Sequence, residues 1–136
     1  KHDERTFHSA IESLGLKNSV KILGPKYGEE KLRYFLACDV FIHTSRFEGM
    51  PMAVLEAMAL GKPCLVTPGT NMADIVCQGG GWECKPDPKS IAESLKEIYQ
   101  KKDSLRVLGK KSRELIKTRF TWRKVAQKMY QEYAEL

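Results

Sequence analysis

Apolar residues recur along this chain at helical spacing in five places. Phe7, Ile11 and Leu14 share one helical face that stops at Gly15, and Leu32, Phe35 and Leu36 do the same after Gly28. Asp87-Pro88 is a cap and first-position pair for a helix with Ile91, Leu95, Ile98 and Tyr99 on its core face. A further helix carries Leu105, Leu108, Leu115 and Ile116. In the last one, Thr121 is the cap and Trp122, Val125, Ala126, Met129, Tyr130 and Tyr133 form a stripe predicted to pack into the core. Between these lie short runs of strand length. Asp39 to Thr44 is rich in β-branched and aromatic residues, Cys64 to Thr67 follows Gly61-Lys62-Pro63, and Trp82 to Cys84 follows a triple-glycine turn as a candidate edge strand. Strands interleaved with helices predict an α/β domain with a mostly parallel sheet.

One segment breaks the periodic pattern. From Met50 to Leu60 every residue except Glu56 is apolar or proline, which predicts a helix buried nearly all round with one carboxylate carried into the interior. Burying that group without partners costs several kcal/mol, on the order set by desolvation, so it needs donors or a ligand. Glu56 either caps a neighbouring backbone or pairs with a lysine, or it serves a binding site. The segment before it reads as strand, loop and helix, with Pro51 at the natural first helical position. In open α/β sheets ligands sit at the carboxyl ends of parallel strands, beside helix N-termini. Glu48 then lies in the loop at the strand's end and Glu56 about a turn and a half into the helix. Backbone N–H groups from Gly49 through Ala53 are available to a sugar or phosphate, and the two carboxylates suit neighbouring hydroxyls. The ligand this favours carries both an anion and sugar hydroxyls.

These residues carry a family resemblance. Glu48, Glu56, Ala57, Met58, Ala59, Gly61 and Pro63 match the pattern Glu, seven residues, Glu-Ala-Met-Ala, one residue, Gly, one residue, Pro. The pattern resembles that of the retaining nucleotide-sugar glycosyltransferases of group 1, also called family 4. Val20 to Gly24 looks like the strand and glycine before that family's nucleotide loop, and Phe120-Thr121-Trp122 like the start of its last helix. The resemblance implies a Rossmann-like three-layer α/β/α fold and places residues 1–136 in the C-terminal, donor-nucleotide domain of a GT-B enzyme. It implies that Glu48 contacts the donor sugar as the catalytic-site residue and Glu56 the nucleotide ribose. Amides of Gly49, Met50, Met52 and Ala53 would meet the sugar or diphosphate, and Pro25, Lys26 and Tyr27 fall where members contact the base. Met50-Pro51 stands where many members have Phe-Gly, so one amide is missing.

The implied donor is a UDP- or GDP-linked sugar, passed to a glycan or lipid-linked acceptor with retention, and no further cofactor is implied. No Asp-x-Asp metal motif is present. Cys38, Cys64, Cys77 and Cys84 show no metal-ligand spacing and read as reduced core residues, and His43 at the strand's end reads as a packed residue. No run of 18 apolar residues and no signal peptide is visible, so the expected location is cytoplasmic. Net charge is +6, but from Lys101 to Lys128 eleven basic residues face only Asp103 and Glu114, a local balance of +9. Solvated helix faces explain this, as does peripheral contact with an anionic inner-membrane surface. Nucleic acid ranks last, since no recognition motif accompanies the charge.

Against the family pattern the fold reads as truncated. The first strand-helix-strand of the donor domain, with its Gly-Arg and Lys-Gly diphosphate residues, is not in this sequence, so the isolated chain is expected to be inactive. If the strand order 3-2-1-4-5-6 holds, Val20–Leu23 is cut off from its sheet. It then re-pairs beside Val40–Thr44, or another copy fills the gap as a homodimer, or it is poorly ordered. The alternatives are a non-catalytic Rossmann-like binding or interaction module, and a nucleotide-binding regulatory domain of flavodoxin-like topology.

Overall fold

Three parallel strands carry the architecture, β1 (Phe41–His43), β2 (Cys64–Val66) and β3 (Gly81–Glu83), hydrogen-bonded in that order. The computed structural model describes residues 2–135 and divides into two compact units, Lys1–Lys31 and Leu32–Leu136. Ahead of the sheet come α1 (His2–Ser13) and α2 (Gly28–Ala37), and after β1 comes α3 (Met52–Ala59). A 3-10 turn over Pro68–Thr70 and α4 (Ala73–Val76) join β2 to β3, and α5 (Pro88–Gln100), α6 (Leu105–Arg119) and α7 (Trp122–Ala134) complete the chain. The register pairs Phe41 with Cys64 and Cys64 with Gly81.

The period-2 geometry of β2 sorts its side chains onto two cores. Cys64 and Val66 face a cluster with Phe35 of α2, Val54, Leu55, Ala57 and Met58 of α3, Val76 of α4 and Ile116 of α6. Leu65 faces the other side, with Cys84, Ile98 of α5, Val40, Trp82, Ile91 and Leu105. Helices therefore cover both faces of the sheet, as a Rossmann-like α/β/α fold requires, and all three residues of β2 are fully buried.

The glycines at helix junctions set how closely these layers approach. Gly61 ends α3 in the left-handed region at φ 74°, with Gly61 N–H and Lys62 N–H donating back to Met58 and Ala57 carbonyls. Its own carbonyl presses against α6, where a Cβ on Gly109 would come 2.1 Å from the Gly61 oxygen. Lys62 then ties α2 to the same corner, its Nζ donating to the carbonyls of Leu36 and Cys38 at 2.8 Å each. Ser112 of α6 donates to the Lys62 carbonyl at 3.0 Å. Asp87 caps α5 by accepting from Ser90 N–H at 2.9 Å, and Thr121 caps α7 by accepting from Lys124 N–H at 3.3 Å.

Several predicted faces are more open than the periodicity implies. No strand forms over 20–27, so Val20–Leu23 does not re-pair beside β1; that segment supplies no ladder, and β1 pairs only with β2 among the described residues. Phe7 and Leu14 of α1 are exposed, with Ile11 buried between them. Leu32 and Leu36 of α2 and Leu95 and Tyr99 of α5 are exposed as well. On α7 the predicted core stripe is not buried at any position, and Trp122 is 88% exposed. Phe120, at the α6–α7 junction, packs against the main core, and beyond it no described element covers the helix. Cys77 is exposed rather than core, while burial pushes the Cys64 thiol up to about 12, with Cys38 adding to the effect.

Gly109→Ala must push backbone against backbone at the α3–α6 contact, and a loss of about 2–3 kcal/mol is expected in urea unfolding. Gly49→Ala, with nothing within 4 Å of the added Cβ, is the matched control and should change stability little.

Candidate functional site

Because β1 and β2 run parallel, the loops leaving their carboxyl ends emerge side by side, and the second holds the first in place. Thr67 Oγ1 donates to the Ser45 carbonyl. Glu48 N–H donates to Gly69 O at 2.7 Å, and Asn71 Nδ2 donates to the carbonyls of Glu48 at 2.8 Å and Gly49 at 3.1 Å. Asn71 reaches them from the left-handed region, at φ 52°, where asparagine is tolerated better than most residues. Gly69 allows the close approach, since a Cβ there would stand 2.2 Å from the Arg46 oxygen. Thr70 Oγ1 closes the turn by donating to the Thr67 carbonyl at 2.7 Å.

The backbone of Glu48 is thus fixed while its side chain remains 41% exposed, with Oε1 3.5 Å from His43 Nε2. Pro51 is buried and occupies the position just before α3 rather than the first helical one, at φ −70° and ψ 106°. The N–H groups of Met52 and Ala53 open the helix and have no carbonyl one turn back. Gly49, Met50 and Met52 are exposed, and Ala53 packs against the core.

Glu56 is half-buried, not interior. Helix α3 buries Val54, Leu55, Ala57 and Met58 and leaves an exposed edge at Met52 and Ala59, with Glu56 between them at helical spacing. The carboxylate therefore sits on the rim of the helix, about 6 Å along its axis from Met52. Pro25, Lys26 and Tyr27 belong to the Lys1–Lys31 unit, where Lys26 pairs with Glu30 at 2.7 Å and Tyr27 is exposed. Among the described residues no group of three His, Cys, Asp or Glu side chains is arranged to hold a metal.

In the sequence the signal for this staple is an asparagine closing Pro68-Gly69-Thr70, which marks a turn and does not reveal the partners. A groove of about 350 Å³ lined by Pro68, Asn71, Ala73, Asp74 and Glu83 opens beside the same turn. Another, of about 1070 Å³, runs along α7 between Arg119, Phe120, Val125, Met129 and Tyr133, away from the two glutamates.

Residues 1–115 match the family model for glycosyl transferases group 1. The chain belongs to the group 1 glycosyltransferases. Among its relatives in that family are an uncharacterized glycosyltransferase of Methanocaldococcus jannaschii, 28% identical over 95% of this chain and 38% of its own length, and the D-inositol 3-phosphate glycosyltransferase of Corynebacterium urealyticum, 27% identical over 92% and 30%. The sucrose-phosphate synthase structure from Thermosynechococcus elongatus superposes with a TM-score of 0.85 at 25% identity, covering 98% of this chain and 34% of that one. This group 1 glycosyltransferase chain thus spans between 30% and 38% of the length of these relatives.

Replacing Asn71 separates the two contributions to the loop. Asn71→Ala, which loses both hydrogen bonds and strains the left-handed backbone, should cost about 2 kcal/mol in urea unfolding. Asn71→Gly should lose only the hydrogen-bond share; equal unfolding midpoints for both variants and the unmodified chain would show that the turn does not hold the Glu48 loop.

Proposed function

We propose that this chain is the donor-binding part of a retaining glycosyltransferase that moves a hexose or related sugar from a UDP- or GDP-linked donor to a glycan or lipid-linked acceptor. The observation that carries the reading is the Glu48 loop, held rigidly at the carboxyl ends of two parallel strands and running straight into the open N-terminus of α3. Such an edge is where α/β folds receive ligands. Glu48 accepts a hydrogen bond from a donor-sugar hydroxyl, and Glu56, on the rim of α3, accepts from the ribose. The N–H groups at the start of α3 face the diphosphate, with Met52 and Ala53 taking the share that Pro51 cannot supply. Arg46 is the one cation of the loop between β1 and α3, and α3 itself carries none; the departing diphosphate calls for more countercharge than one arginine supplies, so on this reading the isolated chain does not turn over the donor.

The finer placement we infer is on the cytoplasmic side, touching an anionic membrane. No described helix is long and apolar enough to cross a bilayer. Arg106, Lys110, Arg113 and Lys117 stand exposed on α6 at positions i, i+4, i+7 and i+11, one stripe at helical spacing. Only Lys117 has an ion-pair partner among the described residues, Glu114 at 3.9 Å. The stripe is long and straight enough to lie along a charged plane.

In the full-length gene product, Glu56→Ala should raise the donor KM about tenfold with little change in kcat, whereas Glu48→Ala should lower kcat by about a hundredfold. Unchanged kinetics in both variants would remove the site assignment. For the membrane contact, Lys110→Glu with Arg113→Glu should weaken co-sedimentation with phosphatidylglycerol-containing vesicles by about 2 kcal/mol, roughly 30-fold. Equal sedimentation with pure phosphatidylcholine vesicles would count against it.

A further inference from the structure

His43 ends β1 where the carboxyl edge of the sheet opens, and its ring stacks on Phe41 with centroids 6.3 Å apart and planes 15° apart. Stacking occupies a face of the imidazole and leaves its nitrogens to find polar partners. Nε2 is buried and makes no hydrogen bond, and it is the polar side-chain atom so placed among the described residues. A buried donor or acceptor left without a partner is destabilising, so the group it faces matters. The group it faces is a carboxylate, with Glu48 Oε1 standing 3.5 Å away, just beyond hydrogen-bond contact.

The two residues differ in how freely they move. His43 lies within the β1 ladder, and the Glu48 backbone is held by Gly69 and Asn71, so the remaining freedom is rotation of the Glu48 side chain. A small rotation brings Oε1 into contact with Nε2. We propose that His43 is a positioning residue for Glu48: when donor binds, Nε2–H donates to Oε1 and holds the carboxylate turned so that its second oxygen accepts the donor-sugar hydroxyl. This rests on the reading of Glu48 as the sugar-facing residue. The strand supplies the histidine, the loop supplies the carboxylate, and the hydrogen bond between them fixes one rotamer of an otherwise exposed side chain. A fixed rotamer matters most in the transition state, where misplacement of a contacting group is costly. The loss therefore falls on turnover rather than on donor affinity.

The test uses the full-length gene product with UDP-glucose and with GDP-mannose, following release of UDP or GDP. His43→Leu should lower kcat about tenfold with donor KM within about twofold. His43→Gln, whose amide nitrogen reaches about as far as Nε2, should restore kcat to within about threefold, and His43→Asn, which is shorter, should not. In the Glu48→Ala background, His43→Leu should cause no further loss, since its only role is gone. Equal losses in the Gln and Asn variants, or a further tenfold loss in the double variant, would overturn the proposal in favour of simple packing or an independent contact. If Glu48→Ala itself leaves kcat intact, the Glu48 reading fails and the His43 role with it. If Glu48→Ala slows turnover and His43→Leu does not, the His43 role alone fails.

Discussion

The carboxyl edge of this sheet depends on one constraint: the loop after β1 must satisfy its backbone polar groups without a strand or helix of its own. It does so by borrowing from the loop after β2. Thr67, Gly69 and Asn71 donate to or accept from Ser45, Glu48 and Gly49, and the parallel pairing of β1 with β2 brings the two loops within reach. A flexible loop would have to be ordered when a ligand arrives, at a cost of about 1–2 kcal/mol per residue. Here that ordering is completed during folding. The Glu48 backbone is held while its side chain is left to adjust, which is the condition under which a neighbour such as His43 can influence it.

The residues that carry the family resemblance divide by physical role. Ala57 and Met58 are fully buried on the core side of α3, Pro63 is fully buried ahead of β2, and Gly61 turns the chain at φ 74° while its carbonyl meets Gly109 of α6. These positions are explained by the fold alone: Gly61 by its left-handed backbone, and the close α3–α6 approach by Gly109, where a Cβ would meet the Gly61 carbonyl. Glu48 and Glu56 have no such explanation. Both are partly exposed and neither fills a core position. Packing thus accounts for four of the seven pattern positions and leaves Ala59, Glu48 and Glu56 unaccounted for by the core.

Legibility in the sequence followed the same division. Helix boundaries were readable because caps act locally: Asp87 with Ser90, Thr121 with Lys124 and Gly15 after α1 each need only neighbours within a few residues. The buried strand at Cys64–Val66 was readable from its apolar run. Burial of helix faces was not, because periodicity says which residues share a face and nothing about whether an element covers it. The stripe on α7 and the pair Leu95 and Tyr99 on α5 have the spacing of core faces and stand exposed. Glu56 was misread for the related reason that composition suggested burial all round, whereas α3 keeps an open edge through Met52, Glu56 and Ala59. The staple between the two loops was beyond reach, since its partners lie 21 to 23 residues apart and no local pattern links them.

Charge placement bears on how much of a donor site one such chain can build. Arg106, Lys110 and Arg113 of α6 and Lys62 line a groove of about 360 Å³ with Gly61, Pro63 and Asp39, at the end of the sheet where β1 and β2 begin. The two glutamates lie at the opposite end, where those strands finish. The Gly61–Gly109 contact locks α6 into that placement, so the stripe does not turn towards the carboxyl edge without breaking the core. In the loop before α3 the cation is Arg46, and a helix N-terminus contributes only about 0.3–1 kcal/mol to a negative charge at the surface. A nucleoside diphosphate leaving with additional charge demands more than that. In the proposed reaction, then, this chain reads the hydroxyls of sugar and ribose, and most of the countercharge for the diphosphate comes from groups other than Arg46 and the start of α3.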